Sequence, residues 1–90
     1  MPSRTIEMRN KRGLHARASA KFVTLAASLP GQVAVEVEKD GNRVCGTSIM
    51  GLMMLGAAFG DSITIHAKGD GADDALQALV DLVEARFHEE

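Results

Sequence analysis

Val33-Ala34-Val35-Glu36-Val37-Glu38-Lys39-Asp40-Gly41-Asn42 sets valines at every second position and then turns. A period of two puts the valines on one face and Glu36 and Glu38 on the other, the signature of a strand in a sheet with one wet side. Asp40-Gly41-Asn42 offers a hairpin turn into Arg43 to Gly46, so the two strands pair antiparallel.

Working outward, Ile6 and Met8 alternate with Thr5, Glu7 and Arg9 as a short half-buried strand that ends in the polar turn Asn10 to Gly13. From Ala16 the spacing becomes helical. Ala16, Ala20, Val23 and Ala27 are expected on one face with Phe22, Ala26 and Leu29 beside it, and Pro30-Gly31 stops the helix. On the far side of the hairpin, Ser48 to Leu55 is apolar and unbranched at Cβ except for Ile49, which favours a short helix with Ser48 as N-cap. Gly56 and Gly60 bracket its exit. Ile63, Ile65 and Ala67 alternate with Ser62, Thr64 and His66 in a last strand. The final helix lines up Ala72, Leu76, Leu79, Val83 and Phe87, with Asp70 as its expected cap and Asp73, Asp74, Asp81 and Glu84 outward.

The order is β-α-β-β-α-β-α. A right-handed connection from the first strand to the second leaves room for the fourth between them, and a sheet with one wet face needs its helices on the other. The expected fold is α+β, an open-faced sandwich of four antiparallel strands covered by three helices.

Ninety residues are read as a single domain spanning 1–90, and a chain this short hides only roughly 60 to 65 % of its unfolded surface. Three Phe, no Tyr and no Trp leave few stacking platforms for single-stranded nucleic acid, and a net charge of −2 argues against a nucleic-acid backbone as partner. Arg9, Lys11, Arg12, Arg17 and Lys21 nonetheless make the first third locally basic against an acidic final helix, a patch suited to an acidic protein partner. The single cysteine, Cys45, excludes an intrachain disulfide and a multi-cysteine metal site. It is read as a small buried or strand residue rather than a nucleophile, and the expected home is a reducing cytoplasm. No apolar run approaches a span of about 20 residues, and Met1-Pro2-Ser3-Arg4 lacks the apolar core of a signal peptide.

The chemistry concentrates at Gly13-Leu14-His15-Ala16-Arg17. A backbone that turns at Gly13 and enters a helix near Ala16 holds an imidazole at the helix N-terminus, beside unpaired N–H groups and an arginine. The helix dipole favours anions and the neutral, nucleophilic imidazole there, and once phosphorylated the ring would offer its oxygens to those N–H groups and to Arg17. His66, on the polar face of its strand, and His88, at a fraying helix end, are read as plain surface histidines. The cluster Gly69-Asp70-Gly71-Ala72-Asp73-Asp74 has too few correctly spaced ligands for a calcium loop, and no metal or cofactor is expected.

Two motifs in register, Gly13-Leu14-His15-Ala16-Arg17 and Ser48-Ile49-Met50-Gly51-Leu52-Met53, together with the element order, resemble the histidine-containing phosphocarrier family HPr of the phosphoenolpyruvate-dependent phosphotransferase system over nearly the whole chain. The resemblance implies a relay. Enzyme I, charged by phosphoenolpyruvate, would give its phosphoryl group to Nδ1 of His15, which would pass it to an enzyme IIA domain while Arg17 steadies the phosphate. The carrier would have no independent turnover. The resemblance also maps Ser48 onto the serine that a bifunctional HPr kinase/phosphorylase modifies in many, though not all, members. Ala18 departs from the family's usual proline, which supplies rigidity at a helix start and no chemistry.

Ile49, Met50, Leu52, Met53, Met54 and Leu55 are too apolar for so short a helix to bury completely. Leu52 and Leu55 are expected in the core, and Ile49, Met50 and Met53 on a docking patch, where flexible methionines suit a monomer that meets several partners in turn. The alternative reading is a regulatory module, of a nitrogen-type branch or an effector-binding kind, in which Ser48 and its helix carry the function and His15 is idle. A small-ligand sensor is a third reading, but nothing in the sequence identifies the pocket it needs.

Overall fold

The computed structural model describes residues 2–89. Strands β1 (Ser3–Glu7), β2 (Ala34–Lys39), β3 (Asn42–Cys45) and β4 (Ser62–Lys68) form one sheet in the order β1-β4-β2-β3. Every neighbouring pair is antiparallel. The alternation read from the valines holds in three dimensions: Val35 and Val37 are buried with Ile6, Ile63, Ile65 and Ala67, while Glu36 lies on the open face. Lys39 pairs with Asn42 across a two-residue turn in which Asp40 and Gly41 both have positive φ, 52° and 83°. That turn twists in the same sense as the strands it joins.

Helices α1 (Ala16–Ser28), α2 (Ile49–Met54) and α3 (Ala72–Glu84) cover the apolar face. The side of α1 that packs inward is Ala18, Ser19, Phe22 and Ala26, whereas Ala16 and Ala27 are exposed and Ala20 and Val23 half-buried. Alanine carries too little apolar area to orient a helix. Phe22 does orient it, since fully burying a side chain of that size contributes about 1.5–3 kcal/mol. The final helix lacks the expected cap: Gly71, in a left-handed conformation, occupies the N-cap position and no side chain bonds the first turn. Asp73 and Asp74 do lie in that turn, where carboxylates suit the positive helix end.

All five apolar positions expected to line the final helix are buried, but Phe87 is not helical with the rest. Regular α-helix stops at Glu84, and Arg86, Phe87 and His88 turn left-handed with φ of 57°, 54° and 60°. Non-glycine residues in that region cost about 1–3 kcal/mol each. The burial of Phe87 and the bond from Lys21 Nζ to the Phe87 carbonyl, 2.6 Å, offset part of that cost. The turn sends the chain end back over the start of α1.

Candidate functional site

Gly13 fixes the approach to α1. Its φ is +61°, and a Cβ there would lie 2.2 Å from the Ala57 carbonyl oxygen. Only glycine lets this backbone press against the loop that follows α2. The Leu14 N–H then donates to the Ala57 carbonyl at 2.9 Å, tying the α1 entry to the α2 exit.

His15 follows as the N-cap of α1, extended at φ −73° and ψ 178°, with Nδ1 accepting from the Arg17 backbone N–H at 3.3 Å. Imidazole is an uncommon cap, yet it satisfies one of the orphan donors of the first turn. Its Nε2 faces Glu89 Oε2 at 2.5 Å, and the His15 side chain is 13 % exposed. The other Glu89 oxygen accepts from Asn10 Nδ2 at 3.1 Å, and the same Asn10 amide donates to the Gly13 carbonyl at 2.8 Å. Burial would push the Glu89 carboxyl up, but the hydrogen bonds from His15 and Asn10, followed by the charges of His15 and Lys21, outweigh it and hold Glu89 below the ordinary glutamate range. Asn10 is buried, and its Oδ1 has no hydrogen-bond partner among the described residues.

Arg17 is exposed, and its guanidinium takes no ion-pair partner among the described residues. The structure thus brings together the His15 ring and the first N–H groups of α1, that of Arg17 among them. It adds Asn10 and Glu89, which sequence reasoning missed as site residues, and Lys21, which the sequence places only in the basic patch. Asn10 gave a faint signal as a polar residue opening a turn, while Glu89 gave none, because only the left-handed turn at 86–88 brings it near.

At the second motif, Ser48 caps α2, its Oγ accepting from the Gly51 N–H at 2.9 Å. Leu52 is fully buried and Leu55 only half-buried. Ile49, Met50 and Met53 are 40 %, 69 % and 42 % exposed, and Met54 and Phe59 are exposed too, at 80 % and 62 %. Phe59 was missed because it follows the helix and carries no helical period.

Of the remaining candidates, His66 and Cys45 fall outside this region. His66 lies on the open sheet face, half-buried, with Nε2 at 2.8 Å from Glu38. His88 is exposed. Cys45 ends β3 and is exposed rather than buried, because it sits on the polar side of an edge strand. Its Sγ lies 3.1 Å from the Thr47 hydroxyl, which donates to the thiolate and lowers the thiol pKa. Among the described residues no three His, Cys, Asp or Glu side chains gather as a metal site, and no helix is long and apolar enough to cross a membrane.

Residues 2–85 match the family model described as PTS HPr component phosphorylation site. Over 89 residues the chain is 47 % identical to a phosphocarrier protein HPr of Pseudomonas aeruginosa, covering 99 % of this chain and 98 % of that one. It is 40 % identical to a phosphocarrier protein NPr of Shewanella violacea, over 96 % of this chain and 92 % of that one. Among solved structures, an HPr of Thermoanaerobacter tengcongensis superposes with a TM-score of 0.91 at 47 % identity, covering 100 % of this chain and 99 % of that one. With motifs, topology and near-complete coverage in agreement, the chain belongs to the HPr family of phosphocarrier proteins of the phosphotransferase system.

Proposed function

We propose that this chain is a cytoplasmic, monomeric phosphocarrier that accepts a phosphoryl group from phospho-enzyme I on His15 and passes it to enzyme IIA domains. Arg17 steadies the phosphoryl oxygens, and catalysis resides in the partners. The observation that carries this reading is the His15 cap: Nδ1 sits at the positive end of α1, in reach of the Arg17 N–H. A phosphoryl group formed on that nitrogen would enter a ready anion site, with N–H groups and the helix dipole facing it. The transfer needs no cofactor, because one nitrogen lone pair replaces another at phosphorus.

Ile49, Met50 and Met53 would form the docking surface for both partners. Ser48 stands at the edge of that surface, so a phosphate added there by an HPr kinase/phosphorylase would place about −1.5 to −2 charges beside it. The placement of Ser48 favours a second reading, a regulatory module of a nitrogen-type branch or an effector-binding kind, in which Ser48 and its helix carry the function and His15 is idle. Incubation with phosphoenolpyruvate and enzyme I, read by intact mass, separates the two. One added phosphoryl group, absent from His15→Ala, supports the carrier. No addition to the parent chain favours the regulatory module. Light scattering on the same sample reads the expected monomer mass.

A further inference from the structure

The His15 ring has a hydrogen-bond partner at each nitrogen, and the two partners demand the same tautomer. Nδ1 accepts from the Arg17 N–H and therefore carries no proton in the neutral ring. Nε2 faces a carboxylate, an acceptor only, and therefore carries the proton and donates it. Glu89 is itself held. Asn10 Nδ2 grips its second oxygen at 3.1 Å, and the Asn10 amide is fixed in turn by the Gly13 carbonyl. The turn that delivers Glu89 is strained at three successive residues and anchored by buried Phe87 and by Lys21. Strain kept in place by its surroundings points to a use.

We infer that Glu89 is a positioning residue for the proposed transfer: its carboxylate holds His15 in the Nε2–H tautomer and so presents the Nδ1 lone pair to the incoming phosphorus. This rests on His15 being the phosphoryl acceptor. As the Nδ1–phosphorus bond forms, Nδ1 gives up its hydrogen bond from the Arg17 N–H, which is then free to donate to a phosphoryl oxygen, and the donor's bond to phosphorus breaks, its electron pair leaving with the donor. The ring gains positive character, and the Nε2 proton stays on it, shared with the carboxylate. Glu89 contacts the nitrogen across the ring from Nδ1 and leaves the phosphate's place at the helix end open. Asn10 completes the arrangement by orienting the carboxylate, which its burial allows it to do without competition from water.

The test is the ring spectrum of His15 in nitrogen-15-labelled protein, recorded above the pH at which the ring is charged. The parent is expected to show a protonated Nε2 and an unprotonated Nδ1. Glu89→Ala is expected to shift toward a mixture of tautomers and to accept phosphate about tenfold more slowly, the low end for losing a hydrogen bond to a charged group. Glu89→Gln, whose carbonyl can still accept from Nε2–H, should recover most of both. An unchanged ring spectrum in folded Glu89→Ala, or an unchanged or faster transfer rate, overturns the positioning role while leaving His15 as acceptor. A parent that takes no phosphate at all removes the acceptor reading instead, and the ring spectra then still decide whether Glu89 sets the tautomer.

Discussion

Two helices in this molecule start on a side-chain cap, and the caps differ in what stands behind them. At α1 an imidazole bonds the first turn, with a carboxylate and a buried amide fixing its far side. At α2 a hydroxyl does the same job and leads straight into exposed Ile49, Met50 and Met53. One N-terminus is built around a held titratable ring, the other around a small polar group at the edge of an apolar surface. Under the proposed function the same backbone device, unpaired N–H groups at a helix start, would serve for chemistry at one site and for docking at the other. Helix length follows the division. α1 spans 13 residues and anchors Phe22 in the core, whereas α2 spans 6 and is held chiefly by Leu52.

The largest expected effect comes from erasing the first cap. His15→Ala should abolish phosphate acceptance while lowering stability by only about 0.5–2 kcal/mol, the usual cost of a lost cap. Retained labelling would show that the imidazole is only a cap, like Ser48. Arg17→Ala should slow transfer in both directions by about tenfold, as expected when a charged hydrogen-bond donor to phosphate is lost. Its thermal midpoint should barely move, because an exposed arginine with no ion pair among the described residues contributes little to folding. Quench-flow rates unchanged from the parent would remove Arg17 from the site.

At the second cap the effect should be smaller and confined to docking. Aspartate also caps helices and suits the positive end, so Ser48→Asp should fold at least as well as the parent yet take phosphate from enzyme I several-fold more slowly. Melts and initial rates test the halves separately: a destabilised variant contradicts the capping argument, and an unslowed one contradicts the switch.

Smaller still is the pH dependence carried by Glu89. Its folded-state pKa is depressed, so its contribution to stability is fully present above the ordinary glutamate range and fades as pH falls through the lowered value. Denaturation midpoints of parent and Glu89→Gln should therefore differ near neutral pH and converge in acid. A gap that is the same at every pH would mean that the carboxylate's charge is irrelevant to its contacts.

Most of the architecture was legible because it rests on short-range pattern. The Val33-Val35-Val37 alternation, the Asp40-Gly41 turn and the Ser48 cap each depend on residues only a few positions apart. The inward face of α1 was misjudged because an alanine-rich helix has a weak apolar stripe, and Phe22 with Ala18 decides its rotation. The Asp70 cap failed because Gly71 takes the N-cap position in a left-handed conformation. His15 and Arg17 could be singled out from five consecutive residues. Glu89 could not, since it lies 74 positions from His15 and arrives through a left-handed turn that no propensity favours.

The first cap is proposed to present Nδ1 of His15 as the group that carries phosphate. Phosphorus–nitrogen coupling in the nitrogen-15-labelled chain, after charging with phosphoenolpyruvate and enzyme I, addresses this role most directly. A single acid-labile phosphoryl group coupled to Nδ1, with the proton on Nε2, is expected. A phosphoryl group on Nε2, or an acid-stable one on Ser48 in place of His15, would contradict it.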